Sequence, residues 1–485
     1  MAKPSPRNPG EAPVMSGITQ QNLRDTLQRL RNAHAADPMP SWNVRATRLH
    51  TLARMLYEQQ HAFAEAINAD FGQRPVEETR LLELFPSLSG IRHALRHGKR
   101  WMKPQHSLAR LAFLPARNAL MPQPLGVIGV MVPWNYPLYL TVGPLTDALV
   151  AGNRAMVKMS EYSPRFSVLF AEQADRYFAT NEIAVITGDT GVAQAFSALP
   201  FDHLLFTGST AVGRQVMRAA ADNLTPVTLE VGGKSPAILG PGARMEHAVQ
   251  RIVFGKLVTA GQTCIAPDYV LLPRARVDEF VEVAARTVTQ MYPQLPQNSQ
   301  YASIVSDRQF ERLVGLRDKA VAAGARVHML GDAGDDARRR LLPLQLLSNV
   351  NDAMELMQEE IFGPLLPLVP YDALDEAIAY VAAHSHPLAL YLFEEDDALI
   401  RRVLERTVAG GVSVNDTLCH MGQHGLPFGG VGPSGMGGYH GETGFRTFSH
   451  IKPVFRQARL NGLSLVNPPY GQRFQRMLKW LLKRG

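Results

Sequence analysis

The chain of 485 residues carries only two cysteines, Cys264 and Cys419. Two thiols cannot build a disulfide framework, and this usage points to a reducing, cytoplasmic location. No run of about 18 apolar residues occurs, so no membrane-spanning helix is expected. The first 17 residues, MAKPSPRNPGEAPVMSG, have no apolar core. That excludes a signal peptide and predicts a disordered tail. No internal repeat of fixed period is present, which excludes a solenoid. Acidic residues are the minority charge, 43 Asp and Glu against 50 Lys and Arg, for a net charge of +7. The surplus is spread along the chain apart from RHALRHGKRWMK (92–103) and the C-terminal RMLKWLLKRG, so no nucleic-acid surface is expected. A solvated helix face and a short C-terminal helix account for these two clusters. The Leu and Trp beside Lys and Arg in the second also fit weak contact with a membrane surface.

What is present is the composition of a soluble globular protein, in a chain too long for one ordinary domain. The first hundred residues read as helical. Leu49, Leu52, Ala53 and Leu56 recur at i, i+3, i+4 and i+7, which makes one apolar stripe. PVEETRLLELFPSLSGIRHAL continues the pattern from a Pro start with an acidic first turn. From residue 125 the period changes. PLGVIGVMVPW, NRAMVKMS, EIAVITGD, FDHLLFTGS and PVTLEVGG are short β-branched runs separated by amphipathic stretches such as 163–179. They predict βαβ units, hence a parallel sheet with helices on both faces. A second alternating series, from MEHAVQRIVFGKLVTA to GGVSVN, predicts a second α/β domain.

Several segments carry candidate chemistry. In FDHLLFTGSTAVGRQVMRAA a strand gives way at Gly208 to a turn and a helix, the geometry that offers free N–H groups to a pyrophosphate. The three-glycine dinucleotide fingerprint is missing, so a plain strand–helix turn fits as well. Glu230, at the end of the strand in VTLEVGGKSP, is placed as a general base or as an ordinary carboxylate paired to a lysine. Asn135, in the rigid turn PWNYPL, is placed to donate to an oxyanion or merely to form the turn. Cys264, in GQTCIAPD, is a candidate nucleophile or a small buried hydrophobe. A helix that stops at Gly261 as its C-cap and a following strand, DYVLLP, would support it. HMGQH sets two histidines four apart without a supporting helix or carboxylate, so no metal site is expected. The glycine-rich 425–441 reads as turns passing over a site mouth, and Cys419 reads as structural.

Taken together, PWNYP, FTGSTAVG, LEVGGKSP, GQTC, EEIFGP and PFGGVGPSGMG resemble the motifs of the NAD(P)-dependent aldehyde dehydrogenase superfamily, in the same order and from about residue 18 to 460. AGQTCIAPDYV, LALYLF, GGVSVNDTLCH and GMGGYHGETGFRTFSH resemble the class 3 branch, most of all its bacterial coniferyl aldehyde dehydrogenases. The resemblance implies that superfamily's α/β fold. A Rossmann-like parallel-sheet cofactor domain would comprise 18–107 and 126–231, and an α/β catalytic domain 232–439. A small bridging β segment would comprise 108–125 and 440–460, followed by a tail at 461–485.

It also implies roles. Cys264 would be the nucleophile, and Asn135 with the Cys264 N–H would form the oxyanion hole. Glu230 would activate water, a task Glu360 could share. Lys158 and Glu161 would hold the adenosine ribose. Ser209 and the turn from Gly208 to Gly213 would face the pyrophosphate. Glu360 and Phe362 would hold the nicotinamide end. Tyr136, Tyr139 and His420, with Met421 and His424, would shape the substrate pocket. The cofactor would be NAD, or NADP, and the assembly a homodimer. The expected reaction is oxidation of an aromatic aldehyde such as coniferaldehyde, or a medium-chain aliphatic one, to its acid. The alternatives are a general class 3 fatty aldehyde enzyme, a CoA-acylating enzyme, for which a Glu230-type base is superfluous, and a silent structural relative.

Overall fold

The β-branched runs that follow residue 125 pair into sheets, and the helices around them bury those sheets on both faces. The computed structural model describes residues 19–110, 113–330, 334–461 and 467–484. The expected tail at 1–17 lies outside the described residues. In the first sheet the strands are ordered Gly435–Met436, Val227–Val231, His203–Gly208, Val127–Met131, Arg154–Lys158 and Ile183–Ile186. All are parallel except the first, which runs antiparallel to Val227–Val231. The strands Val127–Met131 and Arg154–Lys158 are buried along their whole length, which is why they read as unbroken apolar runs rather than alternating ones.

A second, seven-stranded sheet takes the order Arg326–Met329, Gln345–Ser348, Leu365–Tyr371, Tyr269–Pro273, Pro236–Leu239, Ala389–Phe393 and Gly411–Val414. A third, antiparallel sheet joins Gln105–Leu108, Arg117–Pro124 and Ser449–Arg456. Its first strand begins before the expected bridging segment at 108. The strand Gly435–Met436 comes from the glycine-rich stretch and joins the first sheet, although its sequence reads as turns. Gly435 makes this possible: its φ is 151°, and a Cβ there would lie 2.4 Å from the Leu229 carbonyl oxygen.

The N-terminal helices Trp42–Glu58 and Phe85–Trp101 bury the predicted stripe, with Leu49, Leu52 and Leu56 fully enclosed. Between Gln60–Phe71 and Phe85–Trp101 the expected continuous helix is interrupted. Val76–Thr79 is α-helical, and Arg80–Leu84 forms a π turn in which the Phe85 N–H reaches back to the Arg80 carbonyl. Pro86 follows directly and has no N–H to donate to the regular ladder. The wider turn places Glu83 in the core, and such π bulges recur at functional sites.

Candidate active site

A cavity of about 980 Å³ opens between the first two sheets, at the carboxyl ends of Val227–Val231 and His203–Gly208. Cys264, Glu230, Asn135, Glu360 and Phe362 all line it. Its remaining wall near Cys264 is apolar, with Leu82, Trp134, Leu140, Leu418, Met421 and Phe428.

Cys264 sits on a loop whose backbone departs from expectation. The preceding helix ends at Leu257, not at Gly261. Thr259, Ala260 and Gly261 then take left-handed φ values of 52°, 52° and 75°. Glycine is required at the third, since a Cβ there would meet the Gly363 carbonyl oxygen at 2.5 Å. Left-handed non-glycine residues cost about 1–3 kcal/mol each, so the surroundings must enforce them. Glu78 does so by accepting hydrogen bonds from both the N–H and the hydroxyl of Thr259. Gln262 donates to the carbonyls of Thr259 and Ser303 and accepts from the Val305 N–H, which pins the loop from below.

The turn that carries Asn135 is held as tightly. Arg74 donates to the Asn135 carbonyl at 2.8 Å, and Glu83 accepts the N–H groups of Leu138 and Tyr139 at 2.8 and 3.1 Å. Arg74 and Glu83 pair with each other at 2.9 Å with no exposed surface. Asn135 Nδ2 donates one hydrogen to the Gln262 carbonyl at 3.1 Å, which orients the amide against the cysteine loop. The amide nitrogen keeps a second hydrogen for a ligand. Tyr136 ties the two loops together through Thr263 and Thr259 at 2.7 and 3.0 Å.

Burial pushes the Cys264 thiol up to about 12, with Glu360 and then Glu230 adding to the effect, while the N–H groups of Cys264 and Ile265 pull it back. Glu230 is buried, and neither carboxyl oxygen has a hydrogen-bond partner. Burial alone raises it well above the usual carboxylate range. Glu360 is raised to about 8 by burial, with Asp268 adding and Lys234, Lys256 and Arg312 opposing. Its carboxyl rests on Gly232: a Cβ there would lie 1.9 Å from Glu360 Oε2. Gly232, in LEVGGKSP, therefore leaves the room that this carboxyl occupies. Phe362 has φ 53° and meets Trp134 edge to face at 5.4 Å.

Ser209 caps the helix Thr210–Ala221, and Gly208, Ser209, Thr210 and Ala211 line the cavity. Gly213 does not line it. It lets the helix approach the neighbouring strand, since a Cβ there would meet Val231 Cγ1 at 2.9 Å. Lys158 ends the strand Arg154–Lys158, two strands away from His203–Gly208, and Glu161 follows it; both lie outside the residues that line this cavity. Lys158 donates to the carbonyls of Met159 and Gly188 and lies 3.7 Å from Glu161.

Of the expected pocket residues, Tyr136, Tyr139 and Met421 line the cavity. The Tyr139 hydroxyl is bonded to His440 Nε2 at 2.9 Å. His420 and His424 are not cavity-lining, which corrects the reading of the loop. The Ser413 hydroxyl engages both the His420 N–H and its Nδ1 and turns the ring away, stacked behind Phe428. Sequence reading missed Arg74, Glu78 and Glu83 altogether: the glutamates lie in PVEETRLLE, which reads as a helix with a Pro start and an acidic first turn, and Arg74 lies just before it. Among the described residues no group of three or more His, Cys, Asp or Glu is arranged to hold a metal ion.

Comparisons with known proteins add to this geometry. The sequence model described as "Aldehyde dehydrogenase family" matches residues 5–454. The chain is 51% identical over 462 residues to a "Probable coniferyl aldehyde dehydrogenase" of Pseudomonas aeruginosa, covering 95% of this chain and 96% of that protein. It is 46% identical to the "Coniferyl aldehyde dehydrogenase" of a Pseudomonas species, covering 96% and 97%. A substrate-bound structure of Staphylococcus aureus AldH superposes with a TM-score of 0.89 at 35% identity, covering 95% of this chain and 99% of that one. A Mycobacterium tuberculosis aldehyde dehydrogenase complexed with NAD+ superposes with a TM-score of 0.81 at 27% identity, covering 90% of each.

Proposed function

The chain belongs to the aldehyde dehydrogenase family, and from that premise we propose that it oxidises an aromatic, coniferaldehyde-like aldehyde to the carboxylic acid with NAD(P)+. The observation that carries the reading is the convergence of Cys264, the buried carboxyl of Glu230 and the half-buried carboxyl of Glu360 on one largely apolar cavity. When bound, NAD(P)+ supplies the acceptor for the hydride that leaves the substrate carbon. The chain fits it: the open first turn of Thr210–Ala221 presents only Ser, Thr and Ala side chains and a positive helix end to the cavity. Ser209 and Gly208 would hold the pyrophosphate, Lys158 and Glu161 the adenosine ribose, and Glu360 and Phe362 the nicotinamide end. Glu161 suits free ribose hydroxyls, which favours NAD+.

The Cys264 sulfur attacks the aldehyde carbon after its proton passes to a carboxylate, because a thiol held near 12 ionises too little alone. Glu360 and Glu230 both line the cavity with Cys264, and Glu360 is assigned that proton, leaving Glu230 for the water. The new alkoxide accepts from the Cys264 N–H and the Asn135 amide, donors whose single loss typically costs about 10²–10³ in rate. Once the sulfur holds an acyl group, Glu230 takes a proton from the attacking water, and its unpartnered oxygens leave room for that water. A CoA-acylating enzyme has no use for this base, so added CoA leaves the rate unchanged.

The apolar wall from Leu82 to Phe428 suits a flat ring. Steady-state rates for coniferaldehyde, cinnamaldehyde and a straight-chain series, each with NAD+ and NADP+, test the assignment. Higher kcat/KM for the straight-chain aldehydes would replace it with a general aliphatic enzyme. We place the enzyme in the cytoplasm as a homodimer. The antiparallel sheet supports the dimer, because Leu108, Leu120, Val454 and Phe455 are exposed on it beside unpaired edges. Sedimentation at equilibrium checks that state.

A further inference from the structure

The chain ends in a helix, Gln472–Arg484, that the chemistry above does not use. Phe474, Met477, Leu478 and Leu481 recur at i, i+3, i+4 and i+7 and are half-buried, forming one apolar stripe. Trp480 and Leu482 flank it and are 47% and 75% exposed. Arg476, Lys479 and Lys483 form the opposite stripe, all exposed. No acidic residue follows Glu442 in the sequence, so no carboxylate side chain of this segment faces the basic stripe. At 13 residues the helix is about 20 Å long. Among the described residues no helix is long and apolar enough to cross a membrane.

A basic face opposite a face of Phe, Leu, Met and Trp has a specific physical preference. The apolar stripe partitions into the headgroup–acyl boundary while the cations meet lipid phosphates. A nucleic acid would satisfy the charges and leave the apolar stripe in water, so charge and shape together favour a lipid surface. We propose that this helix docks the enzyme peripherally on an anionic bilayer, lying in the interface plane. The proposal is independent of which aldehyde the active site takes.

Flotation of the full chain with vesicles of phosphatidylcholine alone, or mixed equally with phosphatidylglycerol, tests this. The wild-type chain floats with the anionic vesicles, at least about tenfold less with the neutral ones, and is released as salt rises. The double variant Lys479→Glu/Lys483→Glu and the double variant Trp480→Ser/Leu482→Ser each lower partitioning by about tenfold or more. Both keep wild-type turnover of a water-soluble aldehyde, which shows that they fold. Absence of flotation with anionic vesicles overturns the proposal, as does unchanged flotation of either variant. A change in molecular mass of the variants without vesicles would overturn it too, by making the helix a subunit contact. So would equal retention of wild type and Trp480→Ser/Leu482→Ser on a DNA duplex at the salt that supports flotation.

Discussion

Arg74 and Glu83 face each other at 2.9 Å with neither side chain exposed, and each also grips the turn that carries Asn135, Arg74 at the Asn135 carbonyl and Glu83 at the Leu138 and Tyr139 N–H groups. An ion pair without solvent is weak evidence for stability, since desolvation offsets most of its attraction. Its use here is positional. The Arg74 fork reaches the Asn135 carbonyl while its guanidinium lies over the rings of Phe71 and Tyr136. Burial raises Glu83, and Arg74 with the N–H groups of Tyr139 and Leu138 pulls it back.

Glu83→Gln leaves Arg74 buried without its counter-charge, a loss of about 3–5 kcal/mol in comparable cases. The expected result is a lower melting temperature with reduced kcat and near-normal cofactor affinity. Arg74→Lys keeps the charge but loses the fork to the Asn135 carbonyl, so it lowers kcat about 10-fold or more with a smaller stability change. Equal damage to cofactor affinity and kcat would mean that the pair merely holds the fold together.

Cys264→Ala abolishes aldehyde-dependent NADH formation while leaving cofactor binding measurable by fluorescence titration. Appreciable residual turnover would remove the cysteine from the nucleophile role. The substitution also removes a half-buried thiol without opening a large void, so the protein is expected to remain folded.

The alternation of short apolar runs with amphipathic stretches was enough to foresee a parallel sheet followed by a second α/β unit, because strands covered on both faces leave a plain compositional trace; the antiparallel edge strands Gly435–Met436 and Arg326–Met329 were not foreseen. Glu230, Asn135 and Cys264 stayed open on their local sequence alone and took roles only from the resemblance; the structure brings all three to one cavity. Arg74, Glu78 and Glu83 were missed. The two glutamates lie in a stretch that reads as an amphipathic helix, where charged residues look solvated, and Arg74 lies in the connection before it; the π turn at Arg80–Leu84 directs Glu83 inward. His420 misled for the opposite reason: a histidine in the right loop looks available, and the Ser413 hydroxyl that turns it away is seven residues off in sequence but bonded in space. The left-handed run at Thr259 and Ala260 had no signal either, because neither residue favours that conformation and a distant glutamate enforces it.

Gly232→Ala is a small change with a large expected effect. The added methyl would stand 1.9 Å from Glu360 Oε2, so the carboxyl must leave its place. Loss of a positioned acid–base group costs about 10²–10⁴ in rate. A drop of that size in kcat, together with weaker binding of the nicotinamide end that Glu360 is assigned to hold, is expected from stopped-flow and binding measurements. A near-wild-type rate would show that the carboxyl works from another position.

Glu230 and Glu360, which both line the cavity, separate by pH. Glu360 is raised to about 8, so it is protonated at neutral pH and gains its base form as pH rises. Steady-state rate limited by this group climbs about tenfold per unit below 8 and levels above it. The Cys264 thiol lies near 12, so any step limited by its own ionisation continues to rise past 9. Glu360→Gln therefore removes the inflection near 8, whereas Glu230→Gln preserves a first-turnover burst of NADH and slows the acid release that follows. The same shift predicts stability with a definite sign. Between about 4.5 and 8 the folded protein holds the Glu360 proton and the unfolded chain does not, so stability falls as pH rises through that window. Glu360→Gln cancels this term, and its melting temperature relative to wild type should be higher at pH 8.5 than at pH 5. The reverse order in a thermal-unfolding series would mean that Lys234, Lys256 and Arg312 hold the carboxylate ionised, leaving the proton from Cys264 to Glu230.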